Sequence, residues 1–277
     1  MRFGFVLPGG PAREQVEQAV LAEQAGWDGV FVWEGPAGVD SWSLLAAMSQ
    51  HTSRVRLGTM LTPLPWRRPW KVASQASTLD QLSGGRAVLA VGLGAPEILP
   101  AGVREPLDRR LRAELLDEGI DLVTAVHRGE KHSGAHFGDF EAGQAMGELA
   151  RPVQVPRVPI WVVGAWPRPK SMQRVLRCDG LIPARVGEDG PQEVTPDDVR
   201  AMLAWLTERG GNRAGFDVVT EGETPAGDRV AAARTVLPWQ QAGCTWWLET
   251  RWSDDPGSAG RAAGVPERLA AGPPRPE

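Results

Sequence analysis

Acidic and basic side chains follow several of the apolar segments that the sequence predicts to be β-strands. Glu34 follows the second of these segments, and Glu249 closes the last one. A carboxyl group in such a position can transfer a proton if its surroundings bring its pKa close to the working pH. Basic residues follow the third and fifth segments, where they could bind an anionic ligand: Arg67, Arg68, Lys71, Arg168 and Lys170. The sequence therefore predicts proton transfer and anion binding at the ends of strands.

Glycines accompany two of these charged groups. Segment 164–171, GAWPRPKS, combines a glycine with two basic residues and a serine at a predicted helix start, where backbone N–H groups and a cation can hold a phosphate. A solvated loop with scattered charges would have the same composition, so both interpretations stand. Gly92 and Gly94 form a lone GxG without the third glycine of a dinucleotide fingerprint, which suits either a tight turn or close backbone approach to a ligand.

Several other chemistries lack their motifs. The chain has no Walker loop, no nucleophile elbow and no His/Cys cluster at metal-ligand spacing, so no metal is expected. The four histidines lie outside the predicted strand ends and give no support to a histidine-based mechanism. The two cysteines are expected to be small core residues in a reducing, cytoplasmic setting. A formal charge of −4 argues against a nucleic-acid partner, and no apolar run approaches the roughly 20 residues of a membrane span.

The segment 55–94 has the organisation of one βαβ unit. Its first part, VRLGTML, is apolar and β-branched, and two prolines then break it. Apolar residues at helical spacing follow in 69–82 and end at a Gly-Gly pair. The last part, 87–93, is apolar without alternation, which is typical of a strand covered on both faces in a parallel sheet. The loop 62–68 therefore lies at the carboxyl end of a strand, where parallel α/β folds place their chemistry.

Strand and helix patterns alternate along the whole chain and predict an α/β fold, a (β/α)8 TIM barrel of one domain over residues 1–255. A doubly wound open sheet is the alternative. Residues 129–156 are expected to form a long surface connection that can contain a short hairpin, and the Pro/Gly/Ala-rich tail 256–277 is expected to be partly disordered. The predicted strands span residues 2–7, 28–33, 55–61, 87–92, 159–163, 179–182, 216–219 and 245–248.

The residues of these elements resemble the bacterial luciferase-like family of flavin- and deazaflavin-dependent oxidoreductases. The most specific match is DSWSLLAAMSQHTSRVRLGTMLTPLPWRRPWKVASQASTLDQLSGGRAVLAVGLG at residues 40–94. Further matches are MRFGFVLP, AEQAGWDGVFVWE, REPLDRRLRAELLDEGIDLV and PIWVVGAWPRPKSMQRVLRCDGLIP. Together they cover most of residues 1–183, and AGCTWWLE is similar to the last strand of a short subgroup.

The resemblance implies that a flavin or deazaflavin binds at the carboxyl-terminal mouth of a barrel. In such proteins the third strand often carries a bulge with a non-proline cis peptide behind the isoalloxazine ring. The matching bond here is Met60–Leu61, followed by Thr62. The residues that would line the ring or the ribityl chain are Gly92, Gly94 and Glu97, and those that would bind the phosphate are Gly164, Ala165, Trp166, Arg168, Lys170 and Ser171.

The chain departs from the family pattern after its second strand. Many members have Asp-His there, and the histidine can serve as proton donor in the deazaflavin-dependent dehydrogenases, but this chain has Glu34-Gly35. Alcohol oxidation by that route is therefore not expected. The long insertion that usually precedes the last strands is also much reduced, which implies a more open substrate pocket or one that a partner subunit completes.

These features predict a monooxygenase or reductase that uses reduced FMN on a small organic substrate. Either Glu34 or Glu249 would exchange a proton. The aromatic and aliphatic side chains expected to keep water away from the flavin are Leu61, Trp66, Trp166 and Trp252. The alternatives are hydride transfer with coenzyme F420 and a flavin-binding protein without catalysis. The implied partners are a flavin reductase and a second copy of the chain in a homodimer.

Overall fold

The computed structural model describes residues 1–141, 151–211, 213–251 and 264–275. Along these residues eight parallel strands alternate with α-helices, which is the element order of a (β/α)8 barrel and confirms the predicted fold class. The parallel strands are β1 (Arg2–Leu7), β2 (Gly29–Val32), β3 (Arg56–Pro63), β4 (Ala87–Gly92), β7 (Ile160–Trp166), β8 (Gly180–Gly187), β10 (Asp217–Gly222) and β11 (Trp246–Glu249). Three short strands are β5 (Lys131–His132), β6 (Phe140–Glu141) and β9 (Gly190–Gln192). The helices are α1 (Ala12–Gln24), α2 (Ser41–His51), α3 (Pro69–Ser83), α4 (Arg109–Arg128), α5 (Pro169–Val175), α6 (Pro196–Thr207), α7 (Arg229–Ala242) and α8 (Val265–Ala270).

Several strands extend further than the sequence predicts. β3 continues two residues beyond position 61, and β7 and β8 continue to Trp166 and Gly187. The extension of β7 is supported by parallel pairing of Trp166 with Arg185 in β8. Glycine and proline in these stretches predict a strand end, but hydrogen bonding to a neighbouring strand outweighs that local preference.

Helix ends follow capping chemistry that is visible in the sequence. Asp40 caps α2 by accepting a hydrogen bond from the backbone N–H of Ser43 at 2.8 Å. Thr195 and Asp198 form a reciprocal capping box at the start of α6. α3, α4 and α7 each end at a glycine in the left-handed conformation. These local signals explain why the helix positions were predictable.

The contacts within the chain form two compact units. The first comprises the described parts of Met1–Phe31, Arg54–Arg56 and Ile160–Glu277. In it β7, β8, β10, β11 and β1 pair in parallel in this order. The rings of Phe31, Trp161 and Trp246 come from three strands and have centroids 5.3, 5.4 and 6.0 Å apart, which places them in one buried aromatic core. The two cysteines of this unit are buried and free, as predicted for core residues.

The second unit comprises Val32–Ser53 and the described parts of Leu57–Pro159. β3 and β4 pair in parallel, α2 packs against α3, and α3 packs against α4. The connection after α4 is tied back to α3 by Asp80, which is fully buried and accepts hydrogen bonds from the backbone and side chain of Gln154 at 2.8 and 2.7 Å. The short hairpin predicted in this connection is present as β5 and β6, and residues 142–150 lie outside the described part of the chain.

Helix α4 carries a buried histidine whose protonation opposes folding. His127 is 2% exposed, and its Nε2 lies 3.1 Å from the carbonyl oxygen of Ala73. Its Nδ1 has no hydrogen-bond partner among the described residues. Burial lowers the pKa of His127 from 6.5 to about 4. Because the folded-state pKa is depressed, the stability contributed by the neutral ring is complete above the unfolded pKa and is lost as the pH falls toward the folded one.

We expect this histidine to remove about 3 kcal/mol of unfolding free energy as the pH falls from 6.5 to 4. Urea unfolding of the wild type and of His127→Gln over this pH range measures the effect, since the variant lacks the titrating ring. His51→Gln is the matched control, because His51 is exposed at the end of α2. Parallel stability curves for the wild type and His127→Gln would contradict the prediction.

Part of the tail, residues 264–275, is ordered, and the partial disorder predicted for 256–277 stays a prediction. The ordered part contains α8, whose Leu269 is fully buried. The indole Nε1 of Trp27 donates to the carbonyl of Leu269 at 3.0 Å, and such contacts outweigh the composition of the segment. Trp252 lies in 252–263, outside the described residues, together with the predicted domain border, which stays a prediction. No helix in the described part of the chain is both long and apolar enough to cross a membrane.

Candidate active site

The carboxyl-terminal half of β3 carries a β-bulge. The register of β3 against β4 shifts between Thr59 and Thr62, so Met60 and Leu61 lie opposite a single residue of β4. The peptide bond between Met60 and Leu61 is cis, as the family resemblance predicted. Both threonines are fully buried, whereas the side chain of Leu61 is only half-buried. The bulge takes two residues out of the regular ladder, so their backbone groups are not paired in register with β4.

A buried carboxylate lies next to the bulge. Glu34 follows β2 by two residues and is 8% exposed. Its Oε2 accepts hydrogen bonds from Thr62 Oγ1 at 2.6 Å and from Trp42 Nε1 at 3.2 Å, and its Oε1 forms an ion pair with the guanidinium of Arg67. The hydroxyl oxygens of Thr59 and Thr62 are 2.9 Å apart. A continuous chain of polar groups therefore connects Glu34 to both ends of the bulge.

This arrangement favours a positioning role for Glu34 over proton transfer. Both carboxylate oxygens have protein partners, and the ion pair with two further hydrogen bonds holds the group in one orientation. Arg67 also donates to Gln75 Oε1 at 2.9 Å, and burial lowers the pKa of its guanidinium. Proton exchange at Glu34 would need a ligand that displaces one of these partners, and it stays a prediction.

A cavity of about 190 Å³ opens beside this network. Sites for drug-sized ligands typically measure about 300–1,000 Å³, so this cavity suits a small ligand or one part of a larger one. Its walls are mostly apolar, and they also carry the charged groups of Glu34, Arg67 and Glu105. The full set of lining residues is Glu34, Gly35, Pro36, Pro63, Trp66, Arg67, Ile98, Leu99, Val103 and Glu105.

The ring-lining residues predicted after β4 have different surroundings. Gly92 is the buried last residue of β4, whereas Glu97 is exposed on a short 3₁₀ helix. Gly94 has a φ of 78°, and a Cβ there would lie 2.5 Å from the ring of Trp66. Arg112 of α4 donates to the carbonyl of Gly94 at 2.9 Å and fixes the segment. The positive φ and the nearby ring of Trp66 therefore explain why residue 94 is a glycine. The predicted contact of Gly94 with a ligand stays a prediction.

Gly94→Ala is expected to lower the unfolding free energy by about 2–3 kcal/mol, because it adds a clash with Trp66 to the strain of a positive φ. Gly102→Ala is the matched control, since its φ is 87° and an added Cβ would meet nothing within 4 Å. It should cost about 1 kcal/mol, from backbone strain alone. Urea denaturation followed by tryptophan fluorescence measures both variants. Equal losses in the two would show that the contact with Trp66 has no energetic role.

The residues predicted to form a phosphate-binding loop lie partly in a strand. Gly164, Ala165 and Trp166 end β7 and pair with β8, so the loop prediction is wrong for these three. The backbone N–H of Ala165 donates to Ser171 Oγ at 2.9 Å, which occupies two of the groups predicted to bind phosphate. A Cβ on Gly164 would collide with the side chain of Leu181 in β8. Packing between the two strands therefore explains why residue 164 is a glycine.

Two cations follow β7 directly. Arg168 and Lys170 are exposed at the start of α5. Within the described residues, neither side chain makes a hydrogen bond or an ion pair. Cations without a protein partner are available to an anionic ligand. Phosphate binding by these two residues therefore stays a prediction that the geometry permits.

Glu249 ends β11 and is fully buried. Its Oε1 accepts from the backbone N–H of Thr224 at 2.7 Å, and its Oε2 accepts from Thr224 Oγ1 at 2.7 Å, Trp247 Nε1 at 3.1 Å and Arg268 Nη2 at 3.3 Å. Arg251 completes the cluster with an ion pair at 3.2 Å. Because the carboxylate has no exposed surface and both oxygens have protein partners, the contacts favour a structural role that joins β11 to α8. The predicted catalytic role of Glu249 stays a prediction.

The described residues fit a flavin-type coenzyme in two separate places: the bulge of β3 offers backbone for a ring, and the cations after β7 can bind a phosphate. No group of three or more His, Cys, Asp and Glu side chains in the described ranges could hold a metal ion. Sequence reasoning missed the polar residues that fix these elements, namely Trp42, Thr59, Gln75 and Arg112. Their only signal is a polar atom within an otherwise apolar or charged segment, which is a strand for Thr59 and a helix for the other three.

Comparisons relate the chain to known proteins. The family model described as luciferase-like monooxygenase matches residues 1–270. The 4-hydroxyprotoasukamycin monooxygenase of Streptomyces nodosus subsp. asukaensis is 31% identical over 167 residues, which cover 57% of this chain and 43% of that protein. The F420-dependent glucose-6-phosphate dehydrogenase of Amycolatopsis mediterranei (strain U-32) is 38% identical over 122 residues, which cover 40% of this chain and 36% of that protein. The match spans less than half the length of these two relatives.

A solved structure shows the same fold at low sequence identity. The coenzyme F420-dependent tetrahydromethanopterin reductase of Methanopyrus kandleri superimposes with a TM-score of 0.70 and 15% identity, over 98% of this chain and 96% of that chain. Similarity at this level supports the (β/α)8 barrel and no particular reaction. Since the family model spans nearly the whole sequence, this chain belongs to the luciferase-like monooxygenase family.

Proposed function

We propose that this protein is an oxidoreductase that binds a flavin-type coenzyme against the bulge of β3, and that it uses reduced FMN in a monooxygenase or reductase reaction on a small organic substrate. The register shift between Thr59 and Thr62 carries the proposal, because it frees backbone at the carboxyl end of a strand. Barrel enzymes build their active sites at this end. Family membership supplies the coenzyme class, and the monooxygenase relative supports oxygen chemistry.

Each part of the site has a role in this proposal. Reduced flavin would supply the electrons, and the chain supplies binding, orientation and exclusion of water. Glu34 holds Thr62 and Arg67 in place beside the bulge. The apolar walls of the cavity receive part of the substrate. The coenzyme phosphate binds the cations Arg168 and Lys170 through charge-assisted hydrogen bonds.

Coenzyme F420 is the second candidate, and the similarity to the F420-dependent dehydrogenase favours it. The structure argues against the alcohol-oxidising version of that chemistry. Where many family members have Asp-His, with the histidine as proton donor, this chain has Glu34-Gly35, so a glycine replaces the histidine. The carboxylate of the preceding Glu34 is engaged by Arg67. A flavin-binding protein without catalysis is the third candidate. The proposal also includes a flavin reductase as the source of reduced FMN, a homodimer and a reducing, cytoplasmic setting.

Anaerobic titration of the full chain with reduced FMN and with F420, followed by calorimetry, tests the proposal. We expect saturable binding of both, with reduced FMN bound more tightly. The double variant Arg168→Ala/Lys170→Ala should bind reduced FMN about tenfold more weakly. Arg13→Ala, which removes an exposed arginine from α1, is the control and should leave binding unchanged.

Three results would change the proposal in different ways. Tighter binding of F420 than of reduced FMN would replace the coenzyme assignment with the second candidate. Tight binding of reduced FMN with no turnover of a substrate panel in air would favour the non-catalytic protein. Failure to bind either coenzyme would refute the proposal.

A further inference from the structure

The cavity beside the Glu34 network has the size and the walls of a site for one small ring. Its volume is about 190 Å³. An apolar protein cavity of about 150 Å³ is large enough to hold benzene. Pro63 lines the cavity and is the last residue of β3, so the cavity lies directly after the bulge. Most of its walls are apolar or aromatic: Pro36, Pro63, Trp66, Ile98, Leu99 and Val103.

The charged groups in the walls disfavour a ligand with a negative charge. Glu34 and Arg67 form an ion pair, so their charges balance each other. Glu105 is half-buried, and within the described residues its carboxylate makes no hydrogen bond and no ion pair. An anionic ligand would meet this unpaired carboxylate and would lose hydration among apolar walls. The cavity therefore suits an apolar ring without a negative charge.

Trp66 has the largest side chain in these walls, and three contacts fix its ring. A Cβ on Gly94 would lie 2.5 Å from the ring, so the ring packs directly against the backbone after β4. The guanidinium carbon of Arg112 lies 6.0 Å from the ring centroid, and the same side chain donates to the carbonyl of Gly94 at 2.9 Å. The indole Nε1 donates to the carbonyl of Pro106 at 3.1 Å. The indole is therefore held as a fixed wall.

The hydrogen bond from Trp66 also holds a second wall in place. The segment 95–107 contributes four lining residues: Ile98, Leu99, Val103 and Glu105. Ile98 and Val103 are 45% and 43% exposed, so the core of the unit does not anchor their side chains. Among the described residues, the bond from Trp66 Nε1 to Pro106 is the only hydrogen bond between this segment and another part of the chain. A displaced indole would therefore release the segment as well.

The geometry points to Trp66 as the specificity-determining residue of this cavity, which it restricts to a single ring without a negative charge. The substrate class is then a small molecule that carries one such ring. Calling the ring part of the substrate rests on the proposed function, whereas its binding in the cavity does not. A single ring can pack against the indole face. A fused second ring needs the space that the indole occupies, and moving the indole breaks its bond to Pro106 and its packing on Gly94.

Nitrogen-15 NMR of the indole N–H groups in the coenzyme-free full chain tests this inference with p-cresol, p-toluate and 2-naphthol as probes. The resonance of Trp66 is identified as the one that is missing from both Trp66→Phe and Trp66→Leu. In the wild type, p-cresol should shift this resonance saturably. p-Toluate, which has the same ring with a negative charge, and 2-naphthol, which has two rings, should act on it at least about tenfold more weakly.

Variants that change the size of the cavity provide the second part of the test, read by calorimetry. Trp66→Leu should bind 2-naphthol at least about tenfold more tightly than the wild type, because it removes the ring and keeps an apolar wall. Val103→Trp should fill the cavity and weaken p-cresol binding by at least about tenfold. Leu107→Trp is the matched control, since Leu107 is 58% exposed in the same segment and does not line the cavity, and it should bind p-cresol like the wild type.

Each outcome bears on a different statement. No saturable response of the Trp66 resonance to p-cresol, or an equal affinity for 2-naphthol in the wild type, would overturn the inference even if a variant fails to fold. An unchanged affinity for 2-naphthol in a folded Trp66→Leu would overturn it as well. Binding of p-cresol by a chain that binds neither reduced FMN nor F420 would support the inference and refute the proposed function. Coenzyme binding without any response to p-cresol would do the reverse.

Discussion

Replacement of Glu249 by glutamine is expected to lower the free energy of unfolding by about 4 kcal/mol. The carboxylate is fully buried and is paired with Arg268, which is itself 2% exposed. The substitution removes the negative charge and leaves this arginine buried without a counter-ion. It also places an amide nitrogen where one oxygen now accepts hydrogen bonds from Thr224 and Trp247. An uncompensated buried charge and unsatisfied donors both destabilise the folded state.

Urea unfolding measures this loss, and limited proteolysis shows where it acts. Because Arg268 belongs to α8, cleavage within residues 264–275 should become faster in Glu249→Gln than in the wild type. Arg275→Ala is the matched control, since its ion pair with Asp28 at 3.1 Å is half exposed and should contribute within about 1 kcal/mol. A stability equal to that of the wild type, with α8 equally protected, would show that this cluster does not hold the tail.

The Glu249 cluster separates what the sequence could predict from what it could not. A carboxylate at the end of a strand was predictable from the apolar run that precedes it. Its partner was not predictable. Arg268 lies in a proline- and glycine-rich segment whose composition indicates disorder, and only packing against Trp27 and β11 makes it a helix. Pairing over such a distance leaves no local signal.

Contacts between residues that are distant in sequence also explain why the sequence analysis placed several strand ends too early. β7 and β10 run beyond the positions where glycine, proline and charged residues predicted that they would end. Their hydrogen bonds to neighbouring strands decide the ends, and those neighbours are distant in sequence. As a result, Ala165 was assigned to a loop and Glu221 was placed outside a strand. By contrast, the order of strands and helices was predictable, because apolar runs and helix caps are local features.

Around β3, the residues and the family resemblance together predicted more of the local structure than the residues alone did at Glu249. The bulge and the cis peptide at Met60 were expected from the resemblance and are present. The residues alone indicated a charged group at Glu34 but not its partners. Thr62 and Trp42 reach the carboxylate from two other elements, and no spacing rule connects them. The role suggested by position, proton exchange, therefore differs from the role that the contacts favour.

A double-mutant cycle on Glu34 and Arg67 is expected to show strong coupling. Glu34→Gln leaves a guanidinium that is 27% exposed without its counter-ion, and Arg67→Met leaves a nearly buried carboxylate unpaired. Each single change should lower the free energy of unfolding by about 3–4 kcal/mol. The double variant should cost at least about 1 kcal/mol less than the sum, because it leaves no unpaired charge. Binding of reduced FMN should weaken more in Glu34→Gln than in Arg67→Met, since only the former removes the charged acceptor of Thr62 that fixes the end of the bulge.

The exposed pair Arg110–Glu114 on α4 is the matched control for this cycle. Its charged atoms are 3.1 Å apart, but the side chains are 86% and 47% exposed, so solvent screens the attraction and no coupling should be resolved. The contrast between the two cycles isolates burial as the cause of the coupling. A loss in the double variant equal to the sum of the two single losses would contradict the coupling. Unchanged stability and unchanged binding of reduced FMN in all three variants would show that the network neither stabilises the unit nor positions the bulge. Glu34 would then be available for the proton exchange that its place in the sequence suggests.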